Sequence, residues 1–85
     1  MPPITIYTTN SCPYCFAAKA LLKRKSAAFT EIDVTSDQGK RAEMTARAHG
    51  GYTVPQIWIG AAHVGGCDDL HALEHAGKLD AMLAG

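Results

Sequence analysis

The sequence predicts a small α/β domain: a four-stranded mixed sheet flanked by helices in the order β-α-β-α-β-β-α. Three observations carry that prediction. Short runs of alternating and β-branched residues recur at residues 4–8, 29–34 and 56–59. Between them lie stretches with helical start and stop signals, such as Pro13 early and Gly50-Gly51 late. The third run is followed by Gly60-Ala61-Ala62 and then His63-Val64, the pattern of a hairpin.

Each element has its own physical reason. Ile4-Thr5-Ile6-Tyr7-Thr8 alternates apolar and polar residues, as a strand does. Thr9-Asn10-Ser11 is a polar loop, with Ser11 or Cys12 as N-cap and Pro13 at the first helical position, where a missing N–H costs nothing. A helix over 13–25 follows, with Phe16, Ala17, Ala20 and Leu21 as its apolar face and Lys23, Arg24 and Lys25 complementing the dipole at its end. Residues 29–34 form a second strand, with Thr30, Ile32 and Val34 on one face and Phe29, Glu31 and Asp33 on the other. Thr35 and Gln38 match a capping box for a polar helix that runs to about His49. That helix carries a Glu43–Arg47 pair and stops at Gly50-Gly51, while Gly39 weakens its first turn.

The strand Gln56-Ile57-Trp58-Ile59 and its hairpin partner lead to Gly65-Gly66, which ends the pair. Cys67-Asp68-Asp69 then opens a third helix with Leu70 and Leu73 inside and Gly77 as its stop. Leu79, Met82 and Leu83 suggest a short terminal helix. The first βαβ unit should be parallel and right-handed, and the last two strands antiparallel. This is the thioredoxin-like arrangement.

Eighty-five residues make one domain spanning 1–85, with one core. Eight basic residues balance eight acidic ones, so no pull toward nucleic acid or membrane is expected. No apolar run approaches a membrane span, and Met1-Pro2-Pro3-Ile4 lacks the charged and apolar regions of a signal peptide. A cytoplasmic protein is expected. Three cysteines cannot close a set of structural bridges, so they read as reactive, metal-binding or buried.

Cys12-Pro13-Tyr14-Cys15 carries the strongest chemical signal. Two thiols at this spacing can close a small disulfide. At a helix N-terminus, free N–H groups and the dipole favour the thiolate, the nucleophile of thiol–disulfide exchange. Cys12 should lie over the helix start as the attacking sulfur, with Cys15 one turn deeper as its resolver. Zinc needs four ligands, and beyond this pair the chain offers only Cys67 and its histidines. Cys67, His71 and His75 fall on successive turns, which fits a weak metal site or a solvated polar face. No metal is expected.

Two further segments stand out. Thr53-Val54-Pro55 places a proline just before an apolar strand, where a regular ladder would lose a donor. A cis bond there would turn Val54 so that its N–H and C=O face a ligand beside Cys12. In Gly65-Gly66-Cys67-Asp68-Asp69, glycine admits close approach and the helix start offers free N–H groups to a carboxylate. Asp68 can cap that helix or accept from an ammonium; a plain N-cap with an acidic first turn is the simpler reading.

Together, Cys12-Pro13-Tyr14-Cys15, Thr53-Val54-Pro55-Gln56 and Gly65-Gly66-Cys67-Asp68-Asp69-Leu70 resemble the glutaredoxins of the small bacterial dithiol type, over essentially the whole chain. The resemblance implies a glutathione-dependent disulfide reductase. Cys12 would attack a protein disulfide or a glutathionylated cysteine, and Cys15 would resolve the former. Glutathione, the reducing co-substrate, would lay its γ-glutamyl end on Gly66, Cys67 and Asp68, with Asp68 pairing the ammonium. Val54 would bond the cysteinyl backbone between Thr53 and Pro55, Tyr14 would line the groove, and Arg41 would meet the glycyl carboxylate. The Val54–Pro55 bond would be cis. The implied partners are disulfide-bearing or glutathionylated proteins, ribonucleotide reductase being a frequent client, and the chain is expected as a monomer.

Thr9 stands where many members carry a lysine, which Lys19 would replace only in part; Ser26 stands where a helix-ending glycine is common. Two other functions compete. One is the same fold reduced by thioredoxin reductase, against which Gly66, Asp68 and Asp69 argue. The other is an iron–sulfur cluster held by Cys12 and glutathione, against which Pro13 and Cys15 argue.

Overall fold

The computed structural model describes all 85 residues. Strands β1 (Ile4–Thr8), β2 (Thr30–Asp33), β3 (Gln56–Ile59) and β4 (Ala62–Gly65) form one sheet in the order β2-β1-β3-β4. The helices are α1 (Pro13–Arg24), α2 (Gln38–Arg47), α3 (Cys67–His75) and α4 (Leu79–Ala84). β1 pairs parallel with β2 and antiparallel with β3, and β3 pairs antiparallel with β4. The thioredoxin-like arrangement predicted from the sequence is therefore present in full. No helix is long and apolar enough to cross a membrane.

The sheet has two unlike faces. On one, Ile4, Ile6, Ile57 and Ile59 pack with Ala18, Leu21 and Leu22 of α1, Leu70 of α3 and Leu79 and Leu83 of α4. Each fully buried Leu or Ile contributes about 1.5–3 kcal/mol by leaving water. On the other, Tyr7, Val34 and Trp58 pack with Met44 of α2 and Ala48 just beyond it. Phe29 joins the first cluster while Ile32 and Val34 join the second, so β2 divides its faces as its alternation predicts.

The inner face of α1 differs from the predicted one. Cys15, Ala18, Leu21 and Leu22 are buried, whereas Phe16, Ala17 and Ala20 are exposed. Cys15 supplies the reason. Counted as a small hydrophobe it completes the 15-18-22 stripe, at helical spacing.

Caps and charge pairs also move. The N-cap of α2 is Asp37, whose carboxylate accepts from Lys40 N–H at 2.9 Å. Thr35 is occupied instead, its hydroxyl accepting from Asn10 N–H at 2.9 Å while its own N–H donates to Asp33 at 2.8 Å. Arg47 leaves Glu43 and donates to the Tyr7 hydroxyl at 2.9 Å, lying 4.5 Å over the Trp58 ring. A buried partner with a π-face holds a guanidinium better than an exposed carboxylate does. The left-handed residue after α2 is His49, at φ 54°, one position before the predicted glycine stop. Lys25, at the end of α1, ties that helix to Glu74 (2.7 Å) and Asp80 (3.0 Å).

Candidate active site

The dithiol lies where β1 hands over to α1. Cys12 is the N-cap, in extended conformation, and its Sγ accepts from the Cys15 backbone N–H at 3.3 Å. Pro13 occupies the first helical position, so the helix offers its free N–H groups directly behind the sulfur. Cys12 is half-buried and Cys15 fully buried; both are free thiols. Burial, reinforced by the hydrogen bond with Cys12, pushes the Cys15 thiol up to about 12. Two cysteines three residues apart are thus chemically unlike. Cys12 is reachable and carries a helix N-terminus behind it, whereas Cys15 keeps its proton.

Lys19, expected to replace in part a lysine at position 9, is tied to Glu31, although its charge still pulls the Cys15 thiol down. Its ammonium pairs with Glu31 at 2.8 Å, and Glu31 also accepts from the buried Thr8 hydroxyl at 2.7 Å.

Across from Cys12, the Val54–Pro55 peptide is cis, as the resemblance implies. Cys12 Sγ–H points at the Val54 carbonyl, 3.6 Å away. The next wall is the turn from β4 into α3. Gly65 sits at φ 111°, and a Cβ there would lie 2.9 Å from the Asp69 carboxyl carbon, so only glycine fits. Gly66 is the N-cap, and its N–H donates to Asp69 Oδ2 at 2.9 Å. The capping carboxylate is therefore Asp69, not Asp68. Asp69, at N3, can reach back to the cap N–H, while Asp68 is left exposed beside the groove.

These walls enclose a cleft of about 500 Å³. It gathers Tyr14, Thr53, Val54, Pro55, Gly66, Cys67 and Asp68, seven of the residues singled out in the sequence, with Cys12 at its edge. Arg41 does not line it; its guanidinium donates to the Tyr52 carbonyl at 2.9 Å, one residue short of Thr53. Cys67 is 8% exposed, and burial, then the Asp68 and Cys12 charges, raise its thiol. Its Sγ lies 3.4 Å from His71 Nδ1, but His75 does not join them, and no group of three potential metal-binding side chains converges anywhere.

Sequence reasoning missed Gly51 and His63 as groove residues, and it quoted Gln56 in a motif without giving it a role. Gln56 was visible as the lone polar residue of an otherwise apolar strand, and it is 5% exposed.

A family model for glutaredoxin matches residues 4–64. The glutaredoxin of Pseudomonas aeruginosa is 63% identical over 99% of each chain. Glutaredoxin 3 of Escherichia coli K12 is 51% identical over 98% of this chain and 99% of that one. Among solved structures, the Brucella melitensis glutaredoxin superposes with a TM-score of 0.86 at 58% identity, covering 98% of this chain and 89% of that one. A buckwheat glutaredoxin–glutathione complex gives 0.87 at 30% identity, over 98% and 77%. A structure described as metal binding of glutaredoxins gives 0.74 at 57% identity, over 98% and 89%. With its dithiol, cis-proline wall and glycine-led third helix all in place, the chain belongs to the glutaredoxin family, whose members are of the thiol–disulfide oxidoreductase kind.

Proposed function

We propose that this protein reduces glutathionylated thiols and protein disulfides, with glutathione as the reducing co-substrate. The observation that supports it best is that Cys12, the N-cap of α1, faces the carbonyl of the cis Val54–Pro55 peptide at the edge of one cleft. That cleft suits a ligand with a thiol at its centre and a carboxylate and ammonium at one end. The Cys67 N–H at the start of α3, beyond the Gly66 N–H that Asp69 already holds, would take the γ-glutamyl carboxylate, and the exposed Asp68 the ammonium. Val54 would bond the cysteinyl backbone between Thr53 and Pro55, with Tyr14 along the groove. Arg41 would have to give up the Tyr52 carbonyl to reach the glycyl carboxylate.

The Cys12 thiolate attacks one sulfur of a disulfide, forming a bond to it and expelling the other as a thiolate that takes up a proton. With a glutathionylated substrate the protein thiol leaves and Cys12 keeps the glutathione. A second glutathione thiolate then attacks the sulfur of the bound glutathione, releasing oxidised glutathione and the Cys12 thiolate. With a protein disulfide, Cys15 attacks Cys12 Sγ and frees the substrate as a dithiol. Burial, the main reason the Cys15 thiol is raised, persists, but the Cys12 hydrogen bond and charge that add to it are lost once Cys12 is in a mixed disulfide. Cys15 therefore becomes easier to deprotonate when it is needed. Two glutathiones restore the dithiol. We place the protein in the cytoplasm, acting as a monomer on disulfide-bearing clients of the ribonucleotide reductase kind.

The test is turnover of a glutathione–cysteine mixed disulfide with glutathione in wild type, Cys12→Ser and Cys15→Ser. Cys12→Ser should fall to the uncatalysed rate. Cys15→Ser should keep most of this activity but lose protein-disulfide reduction. Activity retained in Cys12→Ser overturns the mechanism, and turnover with thioredoxin reductase but not glutathione overturns the reductant. A neighbour described only as metal-binding leaves room for a second reading, in which two chains hold an iron–sulfur cluster through Cys12 and glutathione. Iron and visible absorbance in anaerobically purified protein would support it.

A further inference from the structure

We infer that His63 is a positioning residue for the groove, holding the Thr53–Val54 wall in place through Gln56. The inference rests on the glutathione reading above and extends it to a side chain outside the three motifs. His63 and Trp58 are cross-strand partners of β4 and β3, and their rings stack with centroids 4.6 Å apart and planes 22° from parallel. Trp58 also carries the Arg47 guanidinium 4.5 Å over its ring and meets Tyr7 edge-on, so the surface that fixes the imidazole is itself fixed.

The orientation has a chemical consequence. His63 Nε2 lies 2.8 Å from Gln56 Oε1. An amide oxygen can only accept, so Nε2 carries the proton. With its oxygen engaged by His63, the Gln56 amide turns its nitrogen toward Thr53 Oγ1, 3.4 Å away. The two bonds are unequal. The histidine contact is short and the threonine contact long, so the histidine end holds the amide more firmly. Gly51 makes room for this arrangement, since a Cβ there would lie 3.2 Å from Gln56 Nε2 and 3.1 Å from the Ala48 Cβ. Gln56 thus bridges strand β4 to the segment that carries Thr53 and Val54. Removing the donor leaves a nearly buried amide oxygen unpaired and cuts the tie to β4; the oxygen is paired again only if the amide turns over to accept from the Thr53 hydroxyl, which breaks the present Nε2–Oγ1 contact.

His63→Phe keeps a flat ring on Trp58 but cannot donate. It should raise the KM for glutathione about two- to tenfold, the factor of one neutral hydrogen bond, in turnover of the glutathione–cysteine mixed disulfide. The rate at saturating glutathione should change less than about twofold, because the reacting sulfurs are untouched. His63→Gln restores a donor and should recover most of the affinity. In a Gln56→Leu background, His63→Phe should add nothing further, since the group it acts through is gone. Thermal melts establish that each variant is folded. An unchanged KM in folded His63→Phe overturns the inference alone. So does an equal rise in the Gln56→Leu background, which would mean that His63 acts without Gln56. Absence of glutathione turnover in the wild type overturns the glutathione reading and this inference together.

Discussion

The two faces of the sheet solve the same packing problem with different chemistry. The face under α1, α3 and α4 is built almost wholly from Ile, Leu and Ala, twelve buried residues in one cluster. The face under α2 has five, and two of them, Tyr7 and Trp58, are held by polar contacts with Arg47 and His63. The first face is non-directional, so it tolerates a neighbour's small shift. The second depends on hydrogen-bond and ring geometry, which lets it fix an orientation. The dithiol helix is anchored to the first face, and the groove's Gln56–His63 bridge grows out of the second.

The sharpest way to break this comparison is to truncate one residue on each face. Leu22→Ala removes a fully buried side chain from the aliphatic cluster and should cost about 2–5 kcal/mol, read as a lower midpoint in urea unfolding. Arg47→Ala, on the other face, should cost about 1–3 kcal/mol, because the fully buried Tyr7 loses its hydrogen-bond partner. Arg47→Lys should recover only part of that, since an ammonium cannot spread over the Trp58 ring as a guanidinium does. Equal losses for Leu22→Ala and Arg47→Lys would erase the distinction between the faces.

The same contrast explains what could be read in advance. Element order, strand directions and most of the aliphatic cluster follow from periodicity and apolar content, and Ile57, Leu70 and Val34 all lie where those rules put them. The walls of the site were legible because their residues carry unusual local chemistry: a proline before a strand, glycines before a helix, a thiol pair at a cap. What escaped was decided by partners distant in sequence. Arg47 pairs with Tyr7 forty positions away rather than with Glu43 on its own helix. His63 reaches Gln56 only because the hairpin brings β4 beside β3. The inner face of α1 escaped because Cys15 serves both chemistry and packing, which shifts the buried stripe off Phe16, Ala17 and Ala20.

A polar bridge on the aliphatic face sharpens the comparison further. Glu31 is held below the usual carboxylate range, first by the Lys19 ammonium and then by the Thr8 hydroxyl. A carboxylate whose folded pKa is depressed adds stability that is present above its unfolded value, near 4.5, and is lost as pH falls through the folded one. Unfolding free energy should therefore decline with acid from about pH 4.5 downward, and Glu31→Gln should flatten that part of the decline. The Glu31 side chain is 36% exposed, so solvent screens the pair and the effect is smaller than either truncation. An unchanged acid limb in Glu31→Gln would assign the decline to other carboxylates.

The smallest expected effect compares the helix ends that serve the two faces. After α1, Ser26 sits at φ 55° and after α2, His49 at φ 54°; after α3 the same position is Gly77, at φ 71°. All three ends close alike, with the following residue's N–H reaching back to the helix: Ala27 to Leu22, Gly50 to Thr45 and Lys78 to Leu73. Only α3, which builds the groove wall, uses the residue that reaches this conformation without a Cβ clash. Left-handed backbone costs an ordinary L-residue about 1–2 kcal/mol, and glycine returns part of that gain through its larger unfolded-state freedom. Ser26→Gly and His49→Gly should each raise stability by up to about 1 kcal/mol, read as a higher urea midpoint with an unchanged slope. Ser26 and His49 make no side-chain hydrogen bond, so nothing offsets the gain at either end. The two gains should also add, because the ends lie on opposite faces and share no partner. A gain at Ser26 without one at His49 would show that the α2 end relaxes through Gly50, itself at φ 102°, so that the polar face stores less backbone strain than the aliphatic one.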